Sequence, residues 1–408
     1  MNGLSVHREN QASNSFVRSV MPYVLLLLLS SSYPFMFFAI EGHPYKVLIF
    51  LMLAFLTILL LLKVSNLRVH GLAVVIIAQI VIYLLLTLYH GDQLYLAIAF
   101  QLLGILIVFL FIINYINVEQ FSGFIVGVVA VISIGGAVAF LLGLFGAIHP
   151  YAEMYNPDGS ILYNYIITFS NSVVFQNEIQ IIRSSGFFDE PGTLGFIIIH
   201  VMILNKISSN NRYYEWVLIT CGFSTLSIAF FISVTLYLIV CSFFESNRRV
   251  LLLLFFLLVL GLIVVSIMPN EVADDFYSMT YGRMLPTDDR IIQADGRSNL
   301  IQEGLRINAD SPFFGHGISV TKETAYNQAS IAGPYVHSGI IGLLGIFLPY
   351  IYMFSKMTLK KTRMFHFFLL FILVLNYIQR PFLISLFTMT LILLIFLSIE
   401  KANGLRRW

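Results

Sequence analysis

Charge is what this sequence has least of. Asp, Glu, Lys and Arg make up 11% of its 408 residues, against about 25% in an ordinary soluble domain. Hydrophobic residues make up 58%, so the chain has too few charges to cover a water-facing surface, and its main solvent is lipid. The net charge is only +2, which excludes a nucleic-acid binder driven by a large basic excess. Cysteine is almost missing. Cys221 and Cys241 both sit in apolar runs, where they read as small packing residues and not as a disulfide framework. There is no CxxC, no HExxH and no tight His/Asp/Glu grouping, so no metal centre and no cofactor is predicted. A cleavable signal peptide is not expected either. Arg8 and Arg18 precede an apolar run over 20–40 that is too long for a signal core and has no small-residue cleavage site after it. Finally, the apolar runs carry almost no Asp or Glu, which argues against a proton- or ion-coupled transporter.

What is there is a series of apolar runs near the roughly 20 residues that a membrane-crossing helix needs. They fall at 20–40, 46–62, 71–89, 94–114, 121–147, 191–206, 216–244, 250–268, 335–355, 364–378 and 382–399. The run 216–244 is long for one span. Counted as a tight hairpin turning near Gly222–Ser227, it puts every basic cluster (Arg8/Arg18, Lys63/Arg68, Lys206/Arg212, Arg248/Arg249, Lys356–Arg363, Lys401/Arg406/Arg407) on the cytoplasmic side. The expectation is therefore an all-α integral membrane protein of the inner-membrane type. It forms a single polytopic domain over 1–408, with about 12 transmembrane helices and both termini cytoplasmic. Two long loops, about 148–190 and 269–334, face outward. They carry arginines that topology does not require, Arg183, Arg283, Arg290, Arg297 and Arg306, and so point to an anionic ligand.

Three stretches concentrate the chemistry. In Arg183-Ser-Ser-Gly186-Phe-Phe-Asp-Glu190-Pro191, Pro191 suits the first turn of a helix, whose N-terminus favours anions beside Arg183. A helix cap with Arg183 paired to Asp189 or Glu190 is the plainer alternative. In the second, Gly296-Arg297 opens a short amphipathic pattern that ends at Pro312, followed by Phe-Phe-Gly315-His-Gly317. Arg306 lies at i+3 from Glu303 and i−4 from Asp310, a structural pairing, whereas Arg297 sits at the helix start, a good seat for phosphate. Gly315 and Gly317 allow a close backbone approach. The third stretch is Tyr335-Val-His337-Ser-Gly339, at the mouth of a span, where a histidine suits general-base work or simple interfacial anchoring. An arginine at Arg380, in the turn Gln379-Arg380-Pro381, needs a partner or a function.

In this order and spacing, the three stretches resemble the O-antigen polymerase and O-antigen ligase superfamily of bacterial membrane glycosyltransferases. Arg183 to Pro191 matches an Arg-x-x-Gly-x-Phe pattern closing the first periplasmic loop. Gly296-Arg297 and Asp310-Ser-Pro-Phe-Phe-Gly315-His-Gly317 match the second loop, and His337 matches a His-Asn that opens the next span, with Ser338 in place of Asn. The resemblance implies a GT-C-like, metal-independent, inverting glycosyltransferase whose donor is a glycan on undecaprenyl pyrophosphate. It implies Arg183 and Arg297 as pyrophosphate ligands and His337 as base. Arg290, Arg380, Gly186, Glu190, Gly315 and Gly317 complete the expected substrate-binding set. The expected partners are the lipid-linked oligosaccharide donor and acceptor, the bilayer and a chain-length regulator. A polymerase is expected ahead of a ligase that passes the glycan to lipid A-core, and both ahead of a flippase.

Overall fold

The computed structural model describes residues 20–32, 34–35, 45–62, 67–155, 161–176, 179–245, 304–321, 332–356, 361–379 and 385–403. The predicted span at 250–268, most of the second loop, and Arg290, Arg297 and Arg380 lie outside the described residues.

The apolar runs fold into α1 (Val20–Ser30), α2 (Tyr45–Leu61), α3 (Gly71–His90), α4 (Gln93–Tyr115), α5 (Val118–Leu144), α6 (Pro191–Ser208), α7 (Arg212–Gly222), α8 (Ile228–Glu245), α9 (Ala332–Lys356), α10 (Lys361–Gln379) and α11 (Leu386–Ala402). Among the described residues, six of these (α3, α4, α5, α6, α8 and α9) are long and apolar enough to cross a bilayer, and the chain is a multi-pass membrane protein. The helices start where a short polar side chain can take the first free N–H groups. Asp92 accepts from Leu94, Asn117 from Glu119 and Gln120, Asn211 from Tyr213 and Ser385 from Thr388. At the α3–α4 turn, Gly91 ends α3 in the left-handed region at φ 66 and Asp92 at once caps α4. Only glycine takes that conformation without strain.

Two helices are buried on every side. Residues Pro191–Lys206 of α6 and Leu386–Glu400 of α11 are all buried, and α11 packs against α6, α4 and α5. The surrounding helices instead expose apolar side chains such as Phe50, Leu85, Leu88 and Val131, which suits contact with lipid. At the end of the bundle opposite the first loop, ion pairs and a buried hydrogen bond tie helices together. Lys206 of α6 binds Glu245 of α8 at 2.7 Å, Lys401 of α11 meets Glu119 of α5, and buried His70 meets buried Glu400 at 2.6 Å.

The run 216–244 is indeed a hairpin. Helix α7 passes through a turn of 3-10 helix, Phe223–Thr225, into α8. At 11 residues, α7 rises about 16 Å, half of a bilayer core, so it is not the full span expected. Gly222 sets this end: the Phe230 ring occupies the space a Cβ would take.

The first loop holds two small sheets that the helical pattern did not foretell. Strands β1 (Ala152–Tyr155), β2 (Ile161–Asn164) and β3 (Phe169–Ser170) form an antiparallel meander. Strands β4 (Val173–Gln176) and β5 (Ile179–Ile182) form a hairpin. Both lie low against α5. A Cβ on Gly135 would come within 2.8 Å of the Ile167 carbonyl, and Gly136 is filled by the Ser184 side chain. These glycines sit about two turns before α5 ends, so the loop descends alongside the helices. Non-helical backbone at such depth must be bonded within the protein, and here it is. Ser184 N–H donates to the Ser224 carbonyl and Ser185 N–H to that of Phe169.

Candidate functional site

Those expected site residues that are described fall into two clusters, one per loop. The first forms around Arg183, at the end of β5. Its guanidinium donates from Nε to the Thr225 carbonyl, from Nη2 to the Leu226 carbonyl, both at 3.3 Å, and from Nη1 to the Ser172 hydroxyl at 3.4 Å. Leu226 is held at φ 46, the left-handed region that a branched side chain seldom takes, so the arginine caps a strained turn. The first loop is thereby fastened to the α7–α8 turn, which the topology reading put on the same face.

Gly186, three residues on, is at φ 59, and a Cβ there would meet Ile132 of α5 and Leu194 of α6. Its N–H donates to the buried Thr168 hydroxyl and its carbonyl accepts from Phe169. This glycine lets the loop thread between two helices. Glu190 caps α6 through its main chain, accepting from Thr193 at 3.0 Å, and Pro191 follows in the first turn.

The second cluster joins residues twenty or more positions apart. The helical start of α9 is broken at Gly339, with φ 60 and ψ −159, and the segment 311–317 wraps this break. Ile340 and Ile341 donate to the carbonyls of Pro312 and Phe313, at 3.0 and 3.1 Å. In the other direction, His316 and Gly317 donate to the carbonyls of Val336 and His337, both at 2.9 Å, and Asn308 Nδ2 donates to that of Tyr335. The two chains approach so closely that Gly315 and Gly339 have no room for a side chain. A Cβ on Gly315 would lie 2.6 Å from the Ser338 nitrogen, and one on Gly339 2.6 Å from the Phe314 nitrogen. Gly315, Gly317 and Gly339 all have positive φ.

His337 lies at the centre of this clasp, 9% exposed. Its carbonyl accepts from Gly317 and also from the Tyr95 hydroxyl, at 2.6 Å. Neighbouring Ser338, buried, donates to the Tyr95 oxygen at 3.3 Å. His90, at the end of α3, bonds the Phe314 carbonyl through Nε2 at 2.9 Å and stacks on Tyr95. Tyr89 stacks on Phe314. His316 donates from Nε2 to the Ile307 carbonyl at 2.9 Å, a structural bond that accounts for this histidine in the motif.

The sequence reading passed over Asp92. Its carboxylate accepts from Leu94 N–H, Ser319 N–H and the Ser319 hydroxyl, at 2.7–2.9 Å. Burial alone would raise its pKa, but these bonds, with a further one from Ile318 N–H, outweigh burial and hold it below the ordinary value. A signal was present: a lone carboxylate beside a glycine, in a short outward turn of a chain with few charges.

Residues 214–344 match the family described as O-antigen ligase. No curated protein and no solved structure matches the chain. The matched stretch is about a third of the chain, from the first turn of α7 to the middle of α9, and includes the clasp between 308–317 and 335–341 but not Tyr89, His90, Asp92 or Tyr95. It supports the O-antigen ligase and polymerase superfamily, whose members are membrane glycosyltransferase-like enzymes.

Proposed function

We propose that this protein is a polysaccharide polymerase, which joins oligosaccharide repeat units carried on undecaprenyl pyrophosphate at the periplasmic face of the bacterial inner membrane. The observation that carries this reading is the clasp. His337, within the family-matched segment, is held by its main chain through bonds from the second loop and from Tyr95 of α4, outside that segment, a rigid seat of the kind a catalytic side chain needs. In this reaction His337 takes the proton of the acceptor sugar hydroxyl. The acceptor oxygen bonds the anomeric carbon of the donor glycan from the face opposite its pyrophosphate, inverting that centre, and the bond to pyrophosphate breaks. The leaving group carries the new negative charge away on its lipid.

Arg183, and Arg297 outside the described residues, stabilise that charge, as guanidinium groups do in partly desolvated sites. Arg290 and Arg380, also outside the described residues, are proposed as further contacts to the anionic donor, with Gly186, Glu190, Gly315 and Gly317 shaping the backbone around it. The Arg183 bonds to Thr225, Leu226 and Ser172 fix the direction of its guanidinium and so give it a structural duty as well. Both termini are placed in the cytoplasm, and a chain-length regulator is the proposed protein partner.

A ligase is the second reading, favoured by the description of the matched family as O-antigen ligase. The purified protein, given only lipid-linked repeat units in detergent, distinguishes the two. A ladder of polymer supports the polymerase. Polymer-bearing lipid consumed only when lipid A-core is added supports the ligase. Neither product would remove the glycosyltransferase reading altogether.

A further inference from the structure

We infer that Asp92, in the two-residue turn between α3 and α4, is a positioning residue that serves His337. The inference rests on the reading of His337 as base and goes beyond it. To cap α4, Asp92 needs one oxygen. It uses Oδ1 for Leu94 N–H at 2.9 Å and for the Ser319 hydroxyl at 2.8 Å, while Oδ2 takes the Ser319 N–H at 2.7 Å. Two residues before Ser319, Gly317 donates to the His337 carbonyl. Three residues after Asp92, Tyr95 donates to the same carbonyl. The Asp92–Ser319 bonds thus close a ring: from Asp92 along α4 to Tyr95, across to His337, across again to Gly317, and along the chain to Ser319.

The carboxylate also brings a charge. Asp92 is 7% exposed, and it lies near enough to His337 and Tyr95 to act on both electrostatically. The titratable groups around it are His90 at the end of α3, Tyr95 in α4 and His337 in α9. In the proposed reaction the hydroxyl proton moves to the His337 imidazole, which becomes a cation. A fixed carboxylate nearby stabilises that cation, and because it is already bonded in place it needs no rearrangement as the charge forms.

The test is Asp92→Asn in the full-length protein, purified in detergent and assayed with lipid-linked repeat units. Asparagine caps a helix as well as aspartate, so α4 keeps its start. What is lost is the charge and the acceptor for Ser319 N–H. The expected result is wild-type accumulation in the membrane with a thermal midpoint lowered by a few degrees, a kcat lower by tenfold or more, and a KM changed less than about twofold, because the donor and acceptor contacts remain. Ser319→Ala, which keeps the charge, loses less.

Wild-type kcat in Asp92→Asn, with His337→Ala inactive, overturns the role of Asp92 and leaves the base reading standing. Normal polymer from His337→Ala overturns the base reading itself, and this inference with it. Should Asp92→Asn fail to accumulate, Ser319→Ala decides: lowered kcat at unchanged KM supports the positioning role, and full kcat overturns it.

Discussion

Gly339 and Phe314 approach main chain to main chain, so that a Cβ on Gly339 would stand 2.6 Å from the Phe314 nitrogen. This contact joins the second loop to α9, and it leaves no side chain free to give way.

Gly339→Ala is therefore costly on two counts. At φ 60 and ψ −159 the backbone lies in a region essentially confined to glycine, which costs another residue about 1–3 kcal/mol, and forcing the chains apart adds an overpacking cost of about 1–3 kcal/mol. A thermal-stability assay in detergent should show the midpoint lowered by several degrees. Gly315→Ala, also at positive φ, 72, and crowded by the His337 and Ser338 main chain, should behave alike. A wild-type midpoint in both would mean that the clasp is not tight.

Arg183→Lys separates charge from shape. Lysine keeps the positive charge but not the planar fork that reaches Thr225, Leu226 and Ser172 together. The expected outcome is a protein that still reaches the membrane but makes about tenfold less polymer or worse, with Arg183→Ala poorer in both respects. An Arg183→Lys strain with a full surface-polysaccharide ladder would show that charge alone suffices.

Acid should loosen the second loop through Asp92. Its folded-state pKa is depressed, because the bonds from Ser319, Leu94 and Ile318 outweigh the burial that would raise it. A depressed carboxyl contributes stability that is fully present above its unfolded value, about 3.9, and is lost as pH falls through the folded value. The protection factors of the Ser319 and Gly317 amides, which are exchange rates corrected for the intrinsic pH dependence, should thus be the same at pH 5 and pH 7 and fall below about pH 4. In Asp92→Asn this added acid sensitivity should vanish against the background from other carboxylates. Parallel curves for the two proteins would contradict the assignment.

His70 and Glu400 should matter for folding and not for chemistry. His70 Nδ1 accepts from Leu72 N–H at 3.0 Å, so the ring proton is on Nε2, which donates to Glu400 at 2.6 Å. His70→Ala removes the cap of α3 and the partner of a buried carboxylate at once, a loss of about 3–5 kcal/mol for a broken buried pair. Glu400→Gln retains an acceptor and should lose far less. Fluorescence-detected size exclusion after heating would rank the two, and equal losses would argue against this bonding.

The helical fold was legible in the sequence because apolar runs of membrane length need no partner to be recognised. The hairpin near Gly222–Ser227 was legible as well, through Arg248 and Arg249, whose placement inside demanded an extra reversal. The strands of the first loop were not, since pieces such as Phe169–Ser170 are too short to show alternation. Gly315 and Gly317 were singled out as places of close approach to a ligand; what lies against Gly315 is the chain at His337 and Ser338, and against Gly317 the side chains of His90 and Asp92. That pairing depends on long-range packing, which no local pattern carries. Asp92 escaped notice for the same reason: its partner Ser319 is 227 positions away.

The burial of α11 on every side has a consequence for biogenesis. A helix that touches other helices all round cannot be added to the outside of a finished bundle. Of the described helices α11 is the last in chain order, yet it packs against α4, α5 and α6. While the earlier helices leave the translocon, the space it will fill must stay open or be held by lipid. The bundle therefore closes late, and a ribosome that stalls before residue 386 leaves a membrane protein with an unfilled centre, a natural substrate for quality-control proteolysis.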